Sequence, residues 1–391
     1  MTDHKEQTVR KMLNRLLHVT YSYIYTTCKR RSCSSNFLSP NVNRIYHAST
    51  KTKLVLLLLF LLLLLSTLFT LNERICPRQN FFRRIHYINR PGFISPDVFK
   101  NCEYACIMTE GWDYSSADVV IWQGMDSPIY PPRKYINQTW VFHSMEPPLL
   151  HVHSMKLWDG LFNWTISYRR DSDFYSPYGI FRTVQRNSIP TESADLLNWK
   201  TRSDVLWFVS NCHVPSGRPE YAAELDKYVR VDVYGKCGTK NCSGNWESCS
   251  KELRNKYKYY LSFENSLCRD YITEKSMKIY ESLFNAIPVT RTGANVSLYL
   301  PPGSYLSTAD ASNTESMALY LYKLKSPTSF FRWRQFYVAE DTIDSEQTFC
   351  ELCRRSHTVN KYRRLYRSLD KWLRGNDGAV PSMCSRVNDL L

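Results

Sequence analysis

An uncharged run of eighteen residues, LVLLLLFLLLLLSTLFTL from Leu54 to Leu71, divides this 391-residue chain before anything else in it is read. It has about the length that crosses the hydrocarbon core of a bilayer. A cleaved secretory leader has a shorter apolar stretch and a small-residue cleavage site just behind it. Here the following residues read NERICPRQN without such a pattern, and residues 1–53 precede the run, so an uncleaved transmembrane anchor is expected. The leading segment holds ten Lys/Arg against two acids, Asp3 and Glu6, with Lys51 and Lys53 beside the run. The positive-inside rule puts that segment in the cytoplasm and everything beyond Leu71 in the lumen, a single-pass type II topology.

The same tail explains most of the basicity. Ten bases less two acids give +8 of the formal net charge of +15, so the excess reads as an orientation signal. No interleaved basic and aromatic motif of the RNA-binding kind occurs, and no nucleic-acid partner is expected. Eleven of the thirteen cysteines lie beyond the anchor, which suits an oxidising compartment. Eleven is odd, so at least one is free or pairs between chains. Cys350-x-x-Cys353 has no second pair at matching spacing and reads as a disulfide clip rather than half a zinc site. Sequons at Asn137, Asn163, Asn241 and Asn295 are compatible with luminal exposure, Asn163 less so because it sits in a strand-like run.

The luminal part is long enough for two domains. Residues 72–80 read as a stem, 81–190 as a first α/β domain, and 191–391 as a second ending in a helical segment with the CxxC. The polar stretch at 186–195 is the expected linker. Apolar runs at Asp118–Gln123, Trp140–His143 and Leu161–Tyr168 have the pattern of buried strands. Further on, Val205–Ser210 reads as a strand, Arg218–Val229 as a helix with Tyr221, Ala222, Leu225 and Val229 on one face, and Val231–Tyr234 as the next strand. That is a β-loop-α-β unit whose loop lies where nucleotides dock on parallel sheets. Tyr259–Phe263 is another strand, and Thr273 caps a helix to about Asn285 with Met277, Tyr280, Leu283 and Phe284 facing inward. Ile287–Val289 resumes the sheet. Two facing α/β domains with a cleft between them are expected.

Arg218 and Lys275 each stand at the start of a predicted helix, where a positive charge opposes the helix dipole. Two such placements suggest a bound anion, or equally a pair of ordinary solvated charges; Glu274 could accept from ribose hydroxyls, though alone it reads as compensating the helix dipole. Asp171-Ser-Asp173 could hold a divalent metal, or could pair with the neighbouring Arg169 or Arg170; the pairing is the reading preferred.

The segment FENSLCRDYITEK (Phe263–Lys275) closely resembles the donor-binding motif of the α1,3/4-fucosyltransferases, glycosyltransferase family 10. VSNCHVPSGRPEYAAEL with VDVYGKCG, and FNWTISYRRDSDFYSPYG, are similar to two further blocks of that family, so that the likeness runs over most of residues 140–305. The resemblance implies a GT-B architecture of two Rossmann-like domains and inverting transfer of L-fucose from GDP-fucose to a sugar hydroxyl. It places ribose recognition on Glu274 and diphosphate contacts on Lys275 and Arg218. It lines the nucleotide-sugar pocket with Glu264, Asn265 and Tyr271, and makes Arg169 a further donor contact. It puts the general base on Glu146, in WVFHSMEPP, where Pro147 replaces the family's Ser; Glu110 is the reserve. No metal is required on this reading, though one could stimulate. The block FCELCRRSHTVNKYRRLYRSLDKWLRG (349–375) leans towards enzymes that fucosylate the innermost N-acetylglucosamine of N-glycans, with Lewis-type transfer to N-acetyllactosamine the alternative. Trp112, Trp122, Trp158 and Tyr168 are the aromatic acceptor platforms to weigh against core roles. A Golgi membrane enzyme is expected; its rivals are a luminal glycan-binding protein without catalysis and a metal-dependent transferase using Asp171 and Asp173.

Overall fold

The computed structural model describes residues 82–151, 153–184, 198–242, 244, 246–342, 346–362, 364–375 and 383–385. The expected tail, anchor, stem and linker, and Cys76, lie outside them. Among the described residues no helix is long and apolar enough to cross a membrane.

Two parallel sheets carry the fold. The first consists of β1 (Arg83–Ile88), β2 (Cys106–Glu110), β3 (Val119–Gln123), β4 (Thr139–Ser144), β5 (Trp164–Ser167) and β6 (Phe174–Tyr175), in the order β2-β1-β3-β4-β5-β6. After β7 (Gly179–Thr183) come β8 (Ser203–Phe208), β9 (Val231–Tyr234), β10 (Tyr257–Phe263), β11 (Ile287–Arg291) and β12 (Leu306–Ser307), which form the second sheet in the order β12-β11-β10-β8-β9. A last strand, β13 (Tyr337–Asp341), returns to pair antiparallel with β7. Every residue of β4 is buried, as are Val119 to Trp122 of β3. Strands covered on both faces need not alternate, which is why these read as continuous apolar runs. β1 and β2 escape the sequence reading because RRIHYI and CIMTE are short and carry polar residues.

Each sheet reverses its winding once, between β1 and β3 and between β8 and β10. Loops diverge at such a point and leave a crevice at the carboxyl ends of the strands. The crevice of the second sheet therefore lies between the loops that follow β8 and β10.

Two helices shape that crevice. α1 (Arg218–Asp226) starts after Gly217, whose φ of 61° lies in the left-handed region glycine adopts freely. Between it and the third helix lies α2 (Trp246–Leu253). α3 (Glu274–Glu281) is capped by Thr273, whose side chain accepts from the Lys275 N–H. It ends earlier than the spacing predicts: Leu283 takes φ 49° and is 44% exposed, while Met277, Tyr280 and Phe284 are buried. The left-handed turn swings Leu283 out and lets Phe284 back in.

The carboxyl-terminal part corrects the expected domain boundary. After α4 (Thr314–Lys323), helices α5 (Glu346–His357) and α6 (Leu369–Arg374) cross back to the first sheet. Phe349 and Leu352 of α5 pack with Ile85, Val119 and Ile121, and Leu369 and Leu373 of α6 pack with Trp122, Trp140 and Phe142. Cys350 and Cys353 do not bridge one another; they join Cys102 and Cys106, stapling α5 to the approach to β2. The segment belongs to the amino-terminal domain because its apolar faces have their partners there. Three further bridges, Cys212–Cys237, Cys242–Cys249 and Cys268–Cys384, tie the second half.

Candidate active site

Glu146 stands just beyond the carboxyl end of β4. The Ser144 hydroxyl accepts from the Glu146 N–H and donates to its carbonyl, both at 3.2 Å, and lies 2.9 Å from His151 Nε2. Tyr178 Oη donates to the Met145 carbonyl at 2.5 Å. With Pro147 buried and extended behind it, the backbone of the carboxylate is fixed on both sides. Its Oε2 accepts a hydrogen bond from Tyr271 Oη at 3.1 Å, so residues of both sheets meet here. Tyr168 sets its ring edge against Tyr271 at 4.9 Å between centroids, and Tyr178 does so at 6.3 Å. Burial among these rings pushes the Glu146 carboxyl above its ordinary range; the Tyr271 hydroxyl and the Lys275 charge offset only part of that. Burial also pushes the Tyr271 phenol far up, so it stays protonated and donating.

Across the cleft the side chains are paired. Glu264, fully buried at the end of β10, accepts from Thr273 N–H at 2.8 Å and from Thr273 Oγ1 at 2.7 Å. Lys275 Nζ lies 3.6 Å from Glu264, 2.9 Å from Glu274 and 3.0 Å from Thr273 Oγ1. Burial pulls Lys275 down, yet Glu264 and Glu274 outweigh it and hold its pKa above the usual value. For Glu274 burial pushes up, and Lys275 wins and holds it low. Glu264 itself stays raised by burial. Glu264 is thus a support beneath the helix start rather than a side chain presented to an open pocket.

Arg218 is 3% exposed and bridges the two loops of the crevice, donating to the carbonyls of Phe263 and Asn211 at 2.9 Å each. Burial lowers its pKa from the ordinary arginine value. Its Nε has no hydrogen-bond partner among the described residues, and neither do the buried Ser216 Oγ, Asn265 Oδ1 and Ser266 Oγ. Buried polar atoms are nearly always paired, and these four lie in or beside the two loops that flank one switch point, where a polar ligand could complete their bonding. Ser216 and Ser266 were missed in the sequence; their position in the loops after β8 and β10 was the available signal.

Arg169 is not among these residues. It forms a two-pronged pair with Asp171, Nε to Oδ1 at 2.9 Å and Nη2 to Oδ2 at 2.6 Å, bonds the carbonyl of Trp372, and stacks over the Trp372 ring at 4.2 Å. It locks α6 onto the first domain. Asp173 accepts from Arg364 and Tyr366 Oη, each at 2.8 Å, so the two carboxylates of the D-x-D are turned to separate ion pairs. Glu110, the reserve base, pairs instead with Arg90 at 2.8 Å. Of the four aromatic candidates, Trp122, Trp158 and Tyr168 are core residues, and Trp112 is 73% exposed just past the carboxyl end of β2. Asn137, Asn241 and Asn295 are exposed, whereas the Asn163 side chain is built in: its Nδ2 donates to the Arg364 carbonyl at 3.0 Å and its Oδ1 accepts from the Trp140 N–H at 3.0 Å and Lys134 Nζ at 2.7 Å.

Residues 81–179 match the family pattern described as fucosyltransferase, N-terminal, and residues 198–372 match glycosyltransferase family 10 (fucosyltransferase), C-term. Alpha-(1,3)-fucosyltransferase C of Drosophila melanogaster is 32% identical over 62% of this chain and 61% of its own length. The 4-galactosyl-N-acetylglucosaminide 3-alpha-L-fucosyltransferase FUT5 of Hylobates lar is 33% identical over 66% of this chain and 70% of its own. The chain thus spans about three-fifths of the fly relative that it matches. A crystal structure of an alpha1,3-fucosyltransferase with GDP-fucose overlaps 73% of this chain and 92% of its own at a TM-score of 0.47 and 16% identity.

Proposed function

The chain belongs to glycosyltransferase family 10, the fucosyltransferases, and from that premise we propose that it transfers L-fucose from GDP-fucose to a hydroxyl of N-acetylglucosamine on a glycoprotein glycan. The observation that carries the reading is the meeting of two unlike groups across one cleft. On one side Lys275 and the unsatisfied Ser216 Oγ, Arg218 Nε and Ser266 Oγ offer charge and donors to a nucleotide diphosphate, and Asn265 Oδ1 an acceptor to the rest of the nucleotide sugar. On the other a desolvated carboxylate, Glu146, awaits a proton.

The acceptor oxygen attacks the anomeric carbon of fucose from the face opposite GDP, so the new bond forms as the bond to the diphosphate breaks and configuration inverts. The hydroxyl proton passes to Glu146, whose raised pKa makes it the stronger base. The charge that builds on the departing GDP is met by Lys275, with Arg218 beneath it, and Glu274 accepts from the ribose. No divalent metal is needed where two cations serve the diphosphate, and Asp171 and Asp173 already answer arginines. The five disulfides among the described residues support an oxidising compartment. The reading places the catalytic part in the Golgi lumen, held by an anchor at 54–71.

The test is incubation with GDP-fucose and two acceptors, a core N-glycan and an N-acetyllactosamine glycan, with products read by mass, with and without EDTA. A gain of one deoxyhexose that survives EDTA and is lost in Glu146→Gln is expected, and the acceptor that gains it separates core-type from Lewis-type transfer. GDP-fucose binding without transfer to either glycan would favour a glycan-binding protein, and loss with EDTA would favour a metal-dependent route.

A further inference from the structure

Tyr271, the partner of Glu146, sits on a short turn whose shape is imposed from outside. The turn runs from Leu267 to Tyr271, with Tyr271 N–H donating to the Cys268 carbonyl at 3.2 Å. Asp270 within it takes φ 62°, a conformation an aspartate keeps only where its surroundings hold it. On one flank Gly293 passes so close that a side chain there would collide with the Leu267 backbone, and Thr292 Oγ1 donates to the Tyr271 carbonyl at 2.7 Å. On the other flank lies residue stretch 383–385, from the carboxyl-terminal end of the chain. Arg269 N–H donates to the Met383 carbonyl and Ser385 N–H to the Leu267 carbonyl, each at 2.7 Å, and between these bonds Cys384 is joined to the fully buried Cys268.

We propose that the Cys268–Cys384 bridge and its flanking backbone pairing make the carboxyl-terminal segment a positioning element of the active site, one that fixes the Tyr271 hydroxyl against Glu146. The assignment of a kinetic role rests on Glu146 being the base. The physical reason for a positioning role lies in distance along the chain. The bridge is three residues before Tyr271, on the turn itself, whereas the sheet and α3 beyond it have their own packing. Released on that flank, the turn is free to leave the strained Asp270 conformation, and Tyr271 is carried off the carboxylate. Asp270 couples the same turn to neighbouring groups, accepting from Tyr299 Oη at 2.7 Å and from the Arg170 N–H at 3.4 Å. A clamp of this kind alters proton transfer more than donor binding, since Lys275 and Glu264 are held by their own bonds to Thr273 and Glu274.

The test compares the full chain with the double variant Cys268→Ser/Cys384→Ser, which leaves no unpaired thiol from this bridge. In the variant kcat is expected to fall ~10-fold or more while KM for GDP-fucose stays within about twofold, because a small displacement of a catalytic contact is costly. The acid limb of the pH profile moves to higher pH, since the Tyr271 hydrogen bond lowers the Glu146 pKa and its loss lets that pKa rise. Adding Tyr271→Phe to the variant then costs little more. Amide hydrogen exchange of the peptide spanning 264–275 rises, with β8 unchanged. An unmoved acid limb together with full additivity of Tyr271→Phe would reduce the bridge to a plain staple and overturn the proposal. If the wild-type chain transfers no fucose, the functional reading fails by itself, and unchanged exchange in 264–275 still overturns the clamp.

Discussion

The two sheets furnish the site in opposite ways. The amino-terminal sheet supplies a single carboxylate with no cation in hydrogen-bonding contact among the described residues, desolvated by tyrosine rings and touched only by neutral groups, the Tyr271 hydroxyl and the Asn265 side chain. The carboxyl-terminal sheet supplies a compensated network in which Glu264, Glu274 and Lys275 hold one another's charge states. The contrast follows from the work each side does. A proton acceptor gains strength from losing water, because its neutral form is then favoured. A diphosphate-binding lysine must stay charged in a buried place, and only neighbouring carboxylates keep it so.

Removing the carboxylate breaks the contrast most sharply. Glu146→Gln is expected to lower the transfer rate about 10²- to 10⁴-fold with GDP-fucose binding intact, measured by single-turnover transfer and titration calorimetry. The sign of its stability effect follows from the raised pKa. A carboxyl whose folded pKa lies above its unfolded value of 4.5 costs stability once pH rises past both, so the glutamine variant should melt higher at neutral pH. The difference should vanish below about pH 4.5, read by thermal melts across pH. A variant that melts lower at neutral pH would mean that Glu146 is stabilised by its neighbours after all.

On the donor side the expected loss is in binding. Lys275→Ala removes a charged partner of the diphosphate and weakens GDP-fucose binding by about 1.5–3 kcal/mol, roughly 10- to 150-fold. Equal affinity by calorimetry would place the diphosphate elsewhere.

Asp171→Ala probes whether the acceptor-side domain has a charge network of its own. Arg169 is left buried without its carboxylate, at a cost of about 1–2 kcal/mol in stability, while kcat is unchanged and EDTA has no effect. A fall in kcat that added Mn²⁺ restores would revive a metal role for the D-x-D.

Smallest is the change at Trp112, which shares the cleft-facing end of the first sheet with Glu146. Trp112→Ala is expected to raise the acceptor KM roughly fivefold, about 1 kcal/mol of lost stacking, with KM for GDP-fucose unmoved. No change would leave it an ordinary exposed aromatic.

Much of the second sheet was legible because its strands are near-continuous apolar runs and its loops hold the distinctive residues. Val231–Tyr234 forms β9 over those same residues, and Thr273 caps α3 as its side chain predicts. The setting of Arg169 was hidden because a sequence shows that an arginine neighbours two acids and cannot show that Trp372, some two hundred residues on, closes over it. The end of α3 was misplaced for a related reason: Leu283 continues the helical spacing, and only packing decides that the chain turns left-handed there.

The chain's own chemistry determined which groups could act: a carboxylate after a strand, cations at helix starts, cysteines in excess. Those follow from local rules of spacing, capping and charge. Tertiary structure alone decided which of them meet. Tyr271 reaches Glu146 across 125 positions, Cys268 finds Cys384 across 116, and the carboxyl-terminal helices return to a sheet that begins at Arg83. Contacts at such separations are selected by burial and shape over the whole fold, and no local pattern encodes them.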